Sequence, residues 1–209
     1  MSAKVVVCDH PLVQADLARL RDKATSPEQF RAALANASAI MGVEALAGLA
    51  TRPVTVHTPL KAAQAKVVDQ PVVFVAILRA GLGMLPGLLQ LVPEALIGHI
   101  GLYRNEETLN PVRYYVRLPK DLDKSFVLLL DPMLATGGSA VEAIRILKTD
   151  GASRITLLSL LAARAGVRRV QREHPDVRIV TAAIDPTLNQ HGYIVPGLGD
   201  AGDRLFGTL

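Results

Sequence analysis

The sequence predicts an α/β chain whose central, mainly parallel sheet is flanked by helices, and three observations carry that expectation. From Val72 onward, short and continuous apolar runs recur at Val72–Leu78, 95–102, Phe126–Leu130, 155–161 and 177–183. The stretches between them are mostly helix-like in pattern. Strands apolar at every position, rather than at every second one, are covered on both faces, and parallel sheets are built that way. The third observation is size: 209 residues, 50% apolar and 20% charged, without repeats, low-complexity tracts or a Pro/Gly/Ser linker, make one domain over 1–209.

Taken in order, the chain opens with Val5, Val6 and Val7 ahead of Asp9 and His10, too short an apolar run for a secretory signal, so a cytoplasmic protein is expected. Residues 11–23 place Leu12, Val13, Leu17 and Leu20 at helical spacing. A longer helix is expected from Ser26, which can cap it, with Pro27 at the first helical position and Gln29 completing a capping box. Residues 1–52 thus read as an N-terminal helical arm or packing layer. Residues 80–93 are uncharged but shorter than a membrane span and broken by three glycines and two prolines. At 104–121 the pattern changes: Pro111 and the alternating Val112, Tyr114, Val116 and Leu118 predict an antiparallel hairpin, a flap beside a strand end.

Composition excludes several function classes. Cys8 is the single cysteine, so no intramolecular disulfide forms, and no Cys/His run resembles a metal site. A net charge of +4 with no tryptophan and no dense Lys/Arg run is a poor case for nucleic-acid binding. His10, His57, His99, His174 and His191 are scattered, and no Ser/His/Asp or Cys/His set points to a covalent intermediate.

The segment with most chemical content begins at the end of the apolar run Phe126–Leu130. Asp131 follows it, then Pro132, Met133, Leu134, Ala135, Thr136, Gly137, Gly138 and Ser139, then a helical run over 140–148. Glycines let the backbone turn tightly and bring its N–H groups to an anion, and a helix N-terminus adds partial positive charge. That arrangement cradles a phosphate. The bland alternative, a strand-to-helix turn that merely needs glycine, does not account for the acid at the strand end and Thr136 before the glycines. No Lys-Ser/Thr pair follows, so this is not a Walker A loop.

Two arginines and the C-terminus extend the pattern. Arg79 ends a buried strand beside the turn Ala80-Gly81-Leu82-Gly83, where an arginine is either salt-bridged for structure or functional. Arg104 opens the flap with Asn105, Glu106, Glu107 and Thr108, a solvated turn in its plain reading. The tail at 189–209 interleaves Tyr193, Ile194, Val195, Leu198 and Phe206 with glycines, a poor helix or strand but a good packed loop whose backbone faces a partner.

Together these segments resemble the type I phosphoribosyltransferases, and the single acid followed by Pro132 and Met133, with Leu130 before it, looks like the uracil phosphoribosyltransferase branch. The resemblance runs over essentially the whole chain. It implies the type I phosphoribosyltransferase fold and transfer of the phosphoribosyl group of 5-phosphoribosyl 1-diphosphate (PRPP) to uracil, giving UMP and pyrophosphate. By the same resemblance, Asp131 holds ribose hydroxyls, 132–139 bind PRPP with Thr136, Gly137, Gly138 and Ser139 on its 5-phosphate, and Arg79 and Arg104 take the pyrophosphate and phosphate groups. Backbone at Ile194, Gly199, Asp200 and Ala201 reads uracil. Asp200 sits near the ribose and, indirectly, a Mg2+ ion held mainly by PRPP, so Arg104, Asp131 and Asp200 are the candidate catalytic residues. A homodimer or higher homo-oligomer, and GTP as a candidate effector, are implied too. The chain departs from the family pattern at Gly42, Val43 and Leu46, at Arg164 and Ala165, and at Pro186 and Thr187. Three alternatives remain open: transfer to another base, an RNA-binding regulator of the same fold, and a nucleotide-binding module without turnover. For the second, Arg164, Arg168, Arg169, Arg172 and Arg178 are spaced as on a solvated helix surface.

Overall fold

The computed structural model describes residues 5–104 and 111–208, with the side chains of Arg104 and Pro111 excepted. In chain order the elements are β1 (Val5–Val7), α1 (Pro11–Arg21), α2 (Pro27–Ala45), β2 (Thr51–His57), β3 (Ala62–Val68) and β4 (Val72–Leu78). After a 3-10 turn at Ala80–Met84 come α3 (Leu85–Leu91), β5 (Leu96–Arg104) and β6 (Pro111–Arg117). Then follow β7 (Phe126–Leu130), β8 (Met133–Leu134), α4 (Gly138–Thr149), β9 (Arg154–Ala163), α5 (Arg164–Glu173) and β10 (Arg178–Asp185), and finally β11 (Thr187–Leu188), β12 (Ile194–Val195) and α6 (Ala201–Phe206).

Local chemistry explains the first helices. His10 caps α1 through its Nδ1, which accepts from Leu12 N at 3.2 Å. At α2 the capping box is complete: Ser26 Oγ accepts from Gln29 N, and Gln29 Oε1 accepts from Ser26 N. Gly42 and Gly87 let α2 and α3 approach closely, because a Cβ on Gly42 would lie 2.5 Å from Leu88 Cδ2 and one on Gly87 1.9 Å from Ala35 O.

The main sheet runs β1-β10-β9-β7-β4-β5-β6, with the short β8 also against β9. Every pair in it is parallel except β5–β6. Alternate residues of the buried strands serve opposite faces. Phe74, Ala76, Leu128, Leu130, Leu158 and Val180 pack with α1, α2 and α6, while Val73, Val75, Val127, Leu129, Leu157 and Ile179 pack with α4 and α5. Both faces are therefore dry, which is why these strands read as unbroken apolar runs.

Three features differ from the pattern read in the sequence. Val5–Val7 forms the edge strand beside β10, tying the N-terminus into the sheet. Residues 51–68 form a separate two-stranded hairpin, β2–β3, whose residues are largely exposed. Arg178 lies on β10 and not on a helix face, and its guanidinium pairs with Glu44 Oε1 and donates to Glu44 O, fastening β10 to α2. Among the described residues, no helix is long and apolar enough to cross a membrane.

Candidate active site

The strand order creates the site. From β4 the chain moves to β5 on one side, whereas from β7 it moves to β9 and β10 on the other. β4 and β7 are parallel neighbours, with Ala76 opposite Leu130, so their C-terminal loops open side by side at the point where the winding reverses. Open α/β sheets bind ligands in that crevice. Gly81 keeps the two loops in contact: a Cβ there would lie 2.6 Å from Leu130 O.

The loop after β7 is held from beneath by β9. Asp131 N donates to Leu158 O at 3.2 Å, and Leu161 N donates to Pro132 O at 2.9 Å. The buried Ser159 Oγ donates to Asp131 O at 2.7 Å and accepts from Leu134 N at 3.1 Å. The Asp131 carboxylate accepts one backbone bond, from Met133 N at 3.3 Å. Burial outweighs that bond and pushes the carboxyl up to about 6.

At Gly137 the backbone takes φ +80°, a conformation that favours glycine, and α4 begins. Unlike α1, α2 and α6, α4 has no side-chain hydrogen bond at its N-cap. Its first-turn N–H groups are thus available to an anion beside Thr136 and Ser139. Arg169, on α5, approaches the same turn, since a Cβ on Gly138 would lie 3.4 Å from Arg169 Nη1 and 3.8 Å from Thr136 Oγ1. Its Nε donates to Glu173 at 3.2 Å.

Arg79 stands at the end of β4, half-exposed, and donates from Nη2 to Asp203 Oδ1 at 2.9 Å. Its guanidinium lies 5.7 Å from the Phe206 ring centre. The hydroxyl of Thr208, then Arg79, hold the Asp203 carboxyl below the usual range. Asp200 caps α6, its Oδ1 accepting from Asp203 N at 2.9 Å.

The tail returns over the turn between β7 and α4. A cavity of about 220 Å³ is lined by Ala80 from the β4 loop, Met133 and Ala135 from the β7 loop, and Gly192, Tyr193, Ile194, Gly199, Asp200, Ala201 and Gly202 from the tail. A larger hollow of about 390 Å³, lined by Arg19, Gln29 and Asn36 among others, lies at α1 and α2 and shares no lining residue with this cavity. Within the tail, Asn189 Oδ1 accepts from His191 N and Tyr193 N, shaping the turn before β12. His191 itself is exposed.

Of the residues singled out from sequence, Arg79, Asp131, the 132–139 turn, Ile194, Gly199, Asp200 and Ala201 meet at one end of the sheet. Arg104 ends β5, three positions beyond Gly101, which pairs with Leu78, so its backbone rises at the same end. Asn105 to Thr108 lie outside the described residues. Sequence reasoning passed over Ser159, a polar residue in an unremarkable apolar run, read Arg169 only as part of a solvated helix surface, and gave Asp203 no role within the tail. Among the described residues there is no cluster of three His, Cys, Asp or Glu able to hold a metal by protein alone.

The comparisons agree with this geometry. A family model described as uracil phosphoribosyltransferase matches residues 6–208. A curated uracil phosphoribosyltransferase from Dictyoglomus thermophilum is 56% identical over 205 residues, covering 98% of this chain and 99% of its own. The solved structure of the AQ2163 protein from Aquifex aeolicus superposes with a TM-score of 0.91 at 38% identity, covering 97% of each chain. Hypoxanthine phosphoribosyltransferase from Trypanosoma cruzi shares the fold alone, with a TM-score of 0.51 at 14% identity over 78% of this chain and 76% of that one.

Proposed function

The chain belongs to the uracil phosphoribosyltransferase family and transfers the phosphoribosyl group of PRPP to uracil, giving UMP and pyrophosphate, and from that premise we propose how its residues do so. The observation that carries the reading is the cavity in which Met133 and Ala135 of the phosphate turn meet Ile194, Gly199, Asp200 and Ala201 of the tail.

The 5-phosphate binds the turn from Pro132 to Ser139, where the uncapped N-terminus of α4 offers N–H donors and partial positive charge. Asp131 accepts from the ribose hydroxyls, and the Ser159 and Leu158 bonds fix its place. Arg79 and Arg104 offset charge on the pyrophosphate. As the bond from the anomeric carbon to pyrophosphate breaks, positive charge grows on the ribose ring and negative charge on the leaving group. Preorganised cations stabilise that separation, and removing one such donor typically costs about 10²–10³ in rate. Uracil lies in the cavity, its alternating carbonyls and N–H groups read by backbone at Ile194 and Ala201. Cytosine presents a different pattern and leaves those groups unpaired.

Mg2+ belongs to this proposal as a substrate-borne ion. It uses few protein carboxylates and keeps substrate phosphate ligands, which fits the absence of a three-residue cluster among the described residues. When bound it would offset charge on the pyrophosphate. Asp200, whose Oδ1 accepts from Asp203 N, is the residue that would help hold it. Residues 104–121 serve as the flap and 189–209 as the base-binding tail. A homodimer or larger homo-oligomer is supported by Val56, Val67 and Val68, which β2 and β3 leave exposed. GTP as effector rests on the family resemblance, and action in the cytoplasm on the short apolar run Val5–Val7.

Incubation with PRPP, Mg2+ and labelled uracil, with cytosine and hypoxanthine in parallel, tests the reading. UMP from uracil alone is expected, with loss in Asp131→Asn, Arg104→Ala and Asp200→Asn. Wild-type turnover in all three variants removes the proposed site.

A further inference from the structure

The residues that hold the base-binding tail in place come from the opposite end of the chain. Asp185 ends β10 at 6% exposure, and Arg21 is the last residue of α1. Their side chains form a two-pronged pair, Nη2 to Oδ1 at 2.7 Å and Nη1 to Oδ2 at 2.8 Å. Both also grip one residue of the tail, on both sides of its Cα: Arg21 Nη1 donates to Gly197 O at 2.9 Å, and Gly197 N donates to Asp185 Oδ2 at 2.9 Å.

Gly197 is the hinge of a very tight turn. Its φ is +60°, and a Cβ there would lie 2.0 Å from Ile194 O. Fixing Gly197 therefore fixes the Ile194 carbonyl on one side and the start of Leu198, Gly199 and Asp200 on the other. Arg204 fastens the far side, donating from Nη1 to Leu198 O at 2.9 Å, bonding Leu20 O and Asp22 O, and stacking 4.6 Å above the Phe30 ring centre. The end of α1 is thus bonded on both flanks of the base-reading backbone.

We propose that Arg21 and Asp185 are positioning residues for the pyrimidine, acting through Gly197 to hold the Ile194 and Gly199–Ala201 backbone at the spacing that reads a uracil edge. Buried ion pairs are poor stabilisers compared with apolar replacements, because desolvation offsets their attraction. Their distinctive product is fixed geometry, and an arginine fork fixes a carboxylate and a carbonyl together as a lysine cannot. The inference rests on the reading of residues 194–201 as the base site.

The test is steady-state kinetics of wild type, Arg21→Lys and Asp185→Asn, each substrate varied at saturating concentration of the other, well below each variant's melting temperature. Loosening the reading backbone raises KM for uracil roughly 10- to 100-fold, the scale of a small misplacement in a preorganised site. KM for PRPP rises much less than KM for uracil, since the phosphate turn is held separately by β9 and only Asp200 joins the PRPP side to the loosened segment. Preference for uracil over cytosine falls in parallel. Arg21→Lys keeps the charge at a half-buried position, so it carries the test if Asp185→Asn does not fold. Uracil KM unchanged in Arg21→Lys, or both KM values rising together, overturns the clamp while leaving the family activity intact. Absence of UMP formation in the wild type overturns the reading of the tail and the clamp with it.

Discussion

Arg79 Nη2 and Asp203 Oδ1 stand 2.9 Å apart, so a cation at the end of β4 is bonded to the helix that closes the base-binding tail. The pair joins the proposed pyrophosphate side to the uracil side. Both partners are partly exposed, so solvent screens the pair and it adds little to stability. Arg79→Ala is expected to lower kcat/KM for PRPP by roughly 100-fold, the scale of one lost charged donor. Asp203→Asn should leave the melting temperature nearly unchanged and shift the kinetic constants only a few fold. Steady-state rates and a thermal melt of both variants check this.

Asp131 links activity and stability with opposite signs. Its folded carboxyl is raised to about 6, above its unfolded value, so ionisation is disfavoured by folding. Native stability therefore increases as pH falls from above 6 toward 4, whereas ribose binding needs the anion. Asp131→Asn should be more stable at pH 7 by about 1–2 kcal/mol, a few degrees in melting temperature, while losing activity. The kcat/KM profile for PRPP should show an acidic limb near 6. PRPP's own phosphate titrates nearby, so the pH dependence of PRPP binding to wild type and to Asp131→Asn is the control: the enzyme's share of the limb disappears in the variant.

Asp185 behaves in the opposite sense. Hydrogen bonds from Arg21 hold its carboxyl below the usual range. The stability it contributes is complete above the unfolded value near 3.9 and disappears as pH falls through the lower folded value. Acid unfolding of Asp185→Asn or Arg21→Ala should accordingly be less steep below pH 4 than that of wild type, as urea titrations across pH 3–7 would record.

Gly137 is required twice, by its φ of +80° and by the 3.0 Å separation a Cβ would have from Gly166 O. Gly137→Ala should cost about 1–2 kcal/mol and raise KM for PRPP more than KM for uracil. A denaturant melt and the two KM values decide it.

Arg169 is expected to add to phosphate binding, because its guanidinium and Thr136 Oγ1 flank one point above Gly138. Arg169→Ala should raise KM for PRPP several fold and weaken its salt dependence, at the scale of one exposed charge. An unchanged KM at low salt removes that role.

Much of this was legible in local sequence. The unbroken apolar runs announced a sheet covered on both faces, Ser26, Pro27 and Gln29 announced the start of α2, and Gly137 and Gly138 after the strand Phe126–Leu130 announced the tight turn into α4. Such signals are readable because periodicity, capping and turn chemistry act between residues a few positions apart. The hairpin β2–β3 escaped because its residues are mostly exposed and leave little apolar contrast.

Only the tertiary structure decided which ends meet. Strand order sets β4 beside β7 and so brings Arg79 to the loop of Asp131. It also brings Arg21 to Asp185, 164 positions away, and Arg204 to the end of α1. An arginine reads the same in sequence whether it is solvated or forked onto a buried acid. Its role follows from burial and partners, and those exist only once distant strands have paired.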